Sequence, residues 1–166
     1  MEPSRSEPVE LKACAAPEYR QFDFWVGNWD VFERANAARR VARARVSRIL
    51  DDCVLLEEYE SADGHRGKSF SLYDHATKSW RQTWVTNRGE VLDIQGGIDA
   101  GGAMVLSGFD RDPAGAPRQV RGRWERERGG AVREIAERRE ADAPWTPWFD
   151  LEFRPRKKSQ APFQPR

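Results

Sequence analysis

Thiols and imidazoles are scarce in this chain. It has two cysteines, Cys14 and Cys53, and two histidines, His65 and His75. There is no Cys-x-x-Cys spacing and no His/Cys cluster, so neither a zinc centre nor thioredoxin-like redox chemistry is expected and no metal ligand is assigned. Both histidines lie in turn sequences, Asp63-Gly64-His65-Arg66 and Asp74-His75-Ala76-Thr77, which place them at exposed hairpin tips. The two cysteines admit two readings. They are free thiols in a cytosolic protein, or one bridge pinning the N-terminal segment to an early strand.

Long apolar runs are missing too. Nothing approaches the roughly 20 residues of a membrane-spanning helix. Residues 1–18 are rich in Pro, Glu and Ser and lack the apolar centre of a secretory signal. The chain as written therefore reads as cytoplasmic, with a periplasmic location open if a precursor was trimmed. Net charge is close to nil: 28 basic residues face 27 acidic ones, for a formal +1. No global field steers the protein to nucleic acid or to an anionic membrane, and neither is expected as a partner. Arg34, Arg39, Arg40, Arg43, Arg45 and Arg48 form a local basic run, and Arg154, Arg156, Lys157 and Lys158 form another. The first reads as a solvated strand face that Asp51, Asp52, Glu57, Glu58 and Glu60 neutralise across a hairpin. The phosphate loop Gly-x-x-x-x-Gly-Lys and the hydrolase elbow Gly-x-Ser-x-Gly do not occur.

Tryptophan, by contrast, is abundant, with seven in 166 residues. Each large ring must be buried while its N–H finds a partner, so the chain has a broad core or a cavity to line. Turn signals recur at short intervals: Ser61–Gly64, Asp74–Thr77, Asn87–Gly89, Gly96–Gly102, Asp112–Gly115 and Gly129-Gly130. Many short strands at this spacing indicate an antiparallel sandwich or barrel. The clearest strands are Cys53–Glu60, Lys68–Tyr73, Trp80–Thr86, Glu90–Gln95, Ala103–Phe109 and Pro147–Arg154. Glu18–Val26 suits one or two helical turns, and 1–17 reads as a flexible lead. Arg34–Leu50 and Ala131–Arg139 have helical composition. The alternation of Arg43 and Arg45 with Ala42, Ala44 and Val46, and the Gly129-Gly130 hairpin signal, favour strands in both.

Gly27-Asn28-Trp29, preceded by a helical turn, matches the Gly-x-Trp signature that opens lipocalin barrels. The longer stretch Gln21-Phe22-Asp23-Phe24-Trp25-Val26-Gly27-Asn28-Trp29-Asp30-Val31 resembles the opening of a bacterial family of uncharacterised lipocalin-like (calycin-type) proteins. So do Tyr73–Val85, Gly97–Gly108 and the closing Trp148–Arg154. The resemblance covers residues 18–155. It implies an all-β, closed, up-and-down antiparallel barrel of about eight to ten strands with a central cavity open at one end. It leaves 156–166 as a basic, Pro-containing flexible tail. It also implies a structural plug: Gly27 and Trp29 at the barrel floor, with Arg154 of the last strand over the indole. Neither histidine matches the cavity histidine of haem-binding barrels, so no cofactor is expected.

Strand alternation nominates the chemistry inside. Trp80, Gln82 and Trp84 share one face, with Ser71 and Tyr73 across the hairpin. Rings mixed with oriented polar groups make a ligand pocket, so Tyr73, Trp80, Gln82, Trp84, Arg123 and Trp124 are the candidate ligand contacts. Trp25 reads as core, and Trp145 and Trp148 as anchors of the last strand. Glu57, Tyr59, Asp93, Gln95 and Glu134 have strand parities compatible with an inward position, and so, on the opposite parity of its strand, does Arg123. A carboxylate in such a cavity has its pKa raised by desolvation and can serve as a general acid or base. Three functions follow. The first is a binding barrel for a small, largely apolar or aromatic molecule. The second is a cofactor-free cyclase, isomerase or hydrolase using Glu57, Tyr73 or Glu134. The third is an interaction module with a filled lumen and an exposed strip of Phe70, Leu72, Val105 and Phe109 that forms a homodimer.

Overall fold

The computed structural model describes residues 12–157 and 163–166. Parts of the predicted lead (1–11) and tail (158–162) lie outside the described residues. Ten strands follow one another in the chain: β1 Gly27–Glu33, β2 Asn36–Ile49, β3 Val54–Ser61, β4 Arg66–Asp74, β5 Ser79–Thr86, β6 Val91–Ile98, β7 Met104–Arg111, β8 Pro117–Arg126, β9 Val132–Arg139 and β10 Thr146–Pro155. Each pairs antiparallel with its neighbours in sequence, and β1 closes on β10 through Trp29↔Pro155 and Val31↔Phe153. The result is a closed up-and-down barrel that leaves no unpaired sheet edge among the described residues.

The two ambiguous segments are both strands. In β2, Ala42, Ala44 and Val46 turn inward and are buried, while Arg43 and Arg45 face out. Helix propensity loses here because a helix would scatter these small apolar residues over several faces, and the strand puts all three on one. The outward arginines find acids on adjoining strands: Arg45 reaches Glu58, and Arg40 and Arg43 approach Asp30. Glu58, outward-facing yet covered by Arg45 and Lys68, is desolvated, but those two cations outweigh the desolvation and lower its pKa.

Two short 3-10 turns, Pro17–Arg20 and Asp23–Trp25, precede the first strand and close one end of the barrel. Phe22 stacks on Trp25 at 5.0 Å and meets Trp80 and Trp124 edge-on at 5.7 and 5.5 Å. The indole of Trp29 donates to the Trp25 carbonyl at 3.0 Å, and that of Trp80 donates to Gln21 Oε1 at 3.0 Å. This aromatic floor is the core of the molecule. Burial of each such ring stabilises the fold by about 1.5–3 kcal/mol.

Cys14 and Cys53 form a disulfide, which decides between the two readings. It ties the approach to the floor to the β2–β3 turn. That turn is tight, with Leu50, Asp51 and Asp52 all at positive φ (50°, 54° and 67°). Lys12 pairs with Asp52, and Arg20 donates to the Asp52 carbonyl. At the other terminus Phe163 is buried and Arg166 approaches Glu60 on the outside of β3.

The predicted plug of Trp29 under Arg154 does not form. Arg154 pairs with Asp30, a position that faces outward, and lies over the Phe32 ring at 3.9 Å with Glu152 as its ion partner. Trp29 is covered by the N-terminal turns and Phe153. Gly27 lies beneath the Trp29 ring, where a Cβ would come within 3.0 Å of it.

Candidate functional site

Above the aromatic floor the barrel is hollow. The cavity measures about 850 Å³ and opens at the end formed by the β1–β2, β3–β4, β5–β6, β7–β8 and β9–β10 turns. Its lower wall carries Glu57 and Tyr59 of β3, Gln82 and Trp84 of β5, Ile94 of β6, Val120 and Trp124 of β8, Glu134 and Ala136 of β9, and Leu151 of β10. Glycine makes room for the two cavity indoles. A Cβ on Gly67 would lie 2.3 Å from the Trp84 ring, and one on Gly122 would lie 2.8 Å from Trp124. Each indole therefore lies flat along the wall and leaves the lumen open.

Two carboxylates sit deep in this space. Glu57 is only 6% exposed, and among the described residues its one side-chain hydrogen bond comes from the Ser69 hydroxyl at 2.8 Å. Burial pushes its pKa up to about 7, against a weaker lowering by Ser69. Glu134, on the far wall, is raised well above the ordinary range by burial first and then by the charge of Glu57. It is enclosed by protein yet keeps surface facing the hollow. Tyr59 stands two residues from Glu57 on the same face, edge-on to Trp84 at 5.9 Å. Its phenol is also shifted up, by burial and then by the charges of Glu134 and Glu57. Trp124 pairs across the ladder with Glu134. Its N–H lies close enough to favour the Glu134 carboxylate but is buried without a hydrogen bond of good geometry.

The mouth mixes charges of both signs. Asp110 accepts two hydrogen bonds from Arg118, each 2.9 Å, and also pairs with Arg138 at 2.8 Å. Arg138 stacks on Trp148, 3.1 Å from the ring centroid. Desolvation lowers the Arg138 pKa despite Asp110. These three groups sit in a mouth that also holds Glu33, Arg39, Arg40, Asp63, Glu90 and Arg111, above a carboxylate-lined interior.

The predicted ligand contacts divide. Gln82, Trp84 and Trp124 line the cavity, with Gln82 donating to Ser71 Oγ at 2.9 Å. Trp80 faces inward but is only 2% exposed, sealed into the floor by Phe22 and Gln21. Tyr73 is drawn to the same end, where it packs edge-on against Tyr19 at 5.3 Å. Arg123 points outward and pairs with Asp99 and Glu125, since its neighbour Trp124 takes the inward position. Of the predicted carboxylates and phenol, Glu57 and Glu134 are brought together and Tyr73 is not; Tyr59 takes its place. Asp93 and Gln95 are exposed on the outer face, opposite outward-facing Thr83 and Arg81. His75 is exposed, whereas His65 is half-buried at the mouth against Glu90 at 3.0 Å.

Outside the lumen, the structure places Trp145 beside the last strand and corrects the expected apolar strip. Trp145 precedes the last strand and stacks with Arg121 and Arg139, at 4.2 and 4.6 Å. On the outer face, Phe70 and Leu72 of β4 are separated from Val105 and Phe109 of β7 by Arg81, Thr83, Asp93 and Gln95, so the four do not make one apolar strip. An outer groove of about 680 Å³ does cross these polar residues, but it lies away from the carboxylates. Sequence reasoning missed Asp110, Arg118 and Arg138. Alternation with Leu106 and Gly108 was the available signal for Asp110, and alternation with Val120 for Arg118.

No helix among the described residues is long and apolar enough to cross a membrane, and no group of three or more metal-ligating side chains occurs among them. The chain matches no known protein-family model and no curated protein.

Proposed function

We propose that the protein is a small-molecule-binding barrel of lipocalin-like type, which holds a largely apolar or aromatic ligand in its central cavity. The observation that carries this reading is the hollow itself. At about 850 Å³, sealed below and open above, it falls within the roughly 300–1,000 Å³ typical of ligand sites. The lining supports the ligand class: Trp84, Trp124, Ile94, Val120 and Leu151 offer apolar and aromatic contact, and Gln82 and the two glutamates offer orientation. The disulfide supports action in an oxidising compartment.

The test is titration with N-phenylnaphthylamine, an apolar aromatic dye whose emission rises in apolar surroundings. A saturable rise with quenching of tryptophan emission is expected. Ala136→Phe, which places a ring in the lumen, is expected to weaken binding about tenfold or more, equivalent to at least 1.4 kcal/mol. Phe109→Ala on the outer face leaves binding unchanged. No saturable signal from the dye, together with an unshifted melting temperature across a panel of lipids and aromatics, sinks the proposal.

A further inference from the structure

We infer that Glu57 and Glu134 are a general acid–base pair, and that the cavity catalyses proton transfer at carbon in a carbonyl compound with an apolar body, an isomerase-type activity that needs no cofactor. The inference rests on the binding reading above, because the substrate must enter the lumen.

The geometry supplies each part. The two carboxylates come from opposite walls, β3 and β9, and face one enclosed space. Among the described residues no cation pairs with either one; the rim arginines Arg118 and Arg138 are held by Asp110. Two like charges in a desolvated space cannot both persist, so the pair retains one proton between them. The Ser69 hydroxyl donates to Glu57 and favours its ionised form, whereas Glu134 has no formed side-chain hydrogen bond among the described residues, so Glu134 keeps that proton and Glu57 is the base. One donor completes the site. The Tyr59 hydroxyl faces the same space as the carboxylates. A carbonyl oxygen is the acceptor that also acidifies the neighbouring C–H.

The step balances without an outside reagent. The Glu57 carboxylate removes a proton from the carbon next to the carbonyl. The C–H electron pair becomes a C=C bond, and the C=O π pair moves to oxygen, which takes the Glu134 proton while Tyr59 donates a hydrogen bond. Return of the Glu57 proton to a conjugated carbon, and of the oxygen's proton to Glu134, yields the isomer and restores both residues.

Two probes test this on the full chain. Nitrobenzisoxazole loses its ring C–H proton to a base, its N–O bond breaks, and a coloured cyanonitrophenolate forms, which reports the base alone. A cyclic β,γ-unsaturated ketone, followed by the absorbance of its conjugated isomer, reports the full cycle. Saturable turnover of both is expected, with kcat/KM rising with pH through about 7 as Glu57 ionises. Glu57→Gln is expected to slow both by about 100-fold or more. Glu134→Gln slows the ketone by a similar factor and shifts the pH profile. Glu125→Gln on the outer face changes neither. Rates no faster than in acetate buffer, a flat pH profile, or full activity in Glu57→Gln overturns the acid–base assignment. If N-phenylnaphthylamine still binds in that event, the binding barrel stands and only the catalysis falls. If the dye is also excluded, the cavity reading itself has failed.

Discussion

Replacing Glu57 by Gln isolates the cost of a carboxylate in the lumen. In the unfolded chain Glu57 titrates at an ordinary 4.5, and in the barrel at about 7. The fold therefore favours the protonated form. The sign follows from linkage: a group whose folded pKa is raised contributes fully below its unfolded value and loses that contribution as pH rises through the folded one. Raising the pKa from 4.5 to about 7 means that the ionised group destabilises the barrel by about 3 kcal/mol above neutrality. Glu57 is only 6% exposed, so solvent screening takes little from that figure. Glutamine keeps the shape and an acceptor for the Ser69 hydroxyl but carries no charge.

Urea unfolding of both proteins, followed by tryptophan emission across pH, measures the effect. Outer acids such as Asp74 and Asp99 have lowered pKa values from hydrogen bonds, so they add stability above their ordinary range that is lost in acid. They occur in both proteins, and their share cancels in the difference. Glu57→Gln should match wild type in mild acid and exceed it by about 3 kcal/mol in mild alkali, or about 6–12 °C in melting temperature. The difference should open between the two pKa values of Glu57. Parallel pH profiles would show that the carboxylate is solvated and that the cavity is not the enclosed space described.

The remaining expectations concern the frame. Reducing the disulfide, or replacing Cys14 by Ser, frees a loop with a sequence separation of 39 residues. The chain-entropy argument puts the loss at about 4 kcal/mol, read as a lower melting temperature in reductant. Gly67→Ala places a methyl 2.3 Å from the Trp84 ring. It should cost about 1–3 kcal/mol and shift tryptophan emission, whereas a silent substitution would show that the ring is not packed there. Arg154→Ala loses a partly exposed ion pair and a stack on Phe32. It should cost about 1 kcal/mol or less in a denaturation assay, against about 3–5 kcal/mol for Trp29→Ala. Equal costs would restore the arginine to the plug.

Alternation along the strands carried much of the architecture. It placed Ala42, Ala44 and Val46 inside β2 against the pull of helix propensity, and it put Gln82, Trp84, Glu57 and Glu134 on the inner face. Its failures have two physical causes. One is parity. Arg123 and Trp124 are adjacent in β8, and neighbours on a strand face opposite sides, so they do not both reach the lumen. The other is height, which alternation does not encode. Tyr73 and Trp80 share the inward face with Gln82 and Trp84, yet lie at the end that the N-terminal turns fill.

The position of that plug therefore sets where the site begins. Phe22 and Trp25 enter from outside the sheet and occupy the lower lumen, turning the rings around them from binding surface into floor. The carboxylates lie above this aromatic layer, which covers their space from below. Their raised pKa values and the seal beneath them then have one cause. A loosened floor, through loss of Phe22 or of the disulfide that holds its approach, should lower the stability of the barrel and let the Glu57 pKa relax towards 4.5, with both changes seen in the same variant. A variant that melts early yet keeps Glu57 titrating near 7 would separate the two and refute the link.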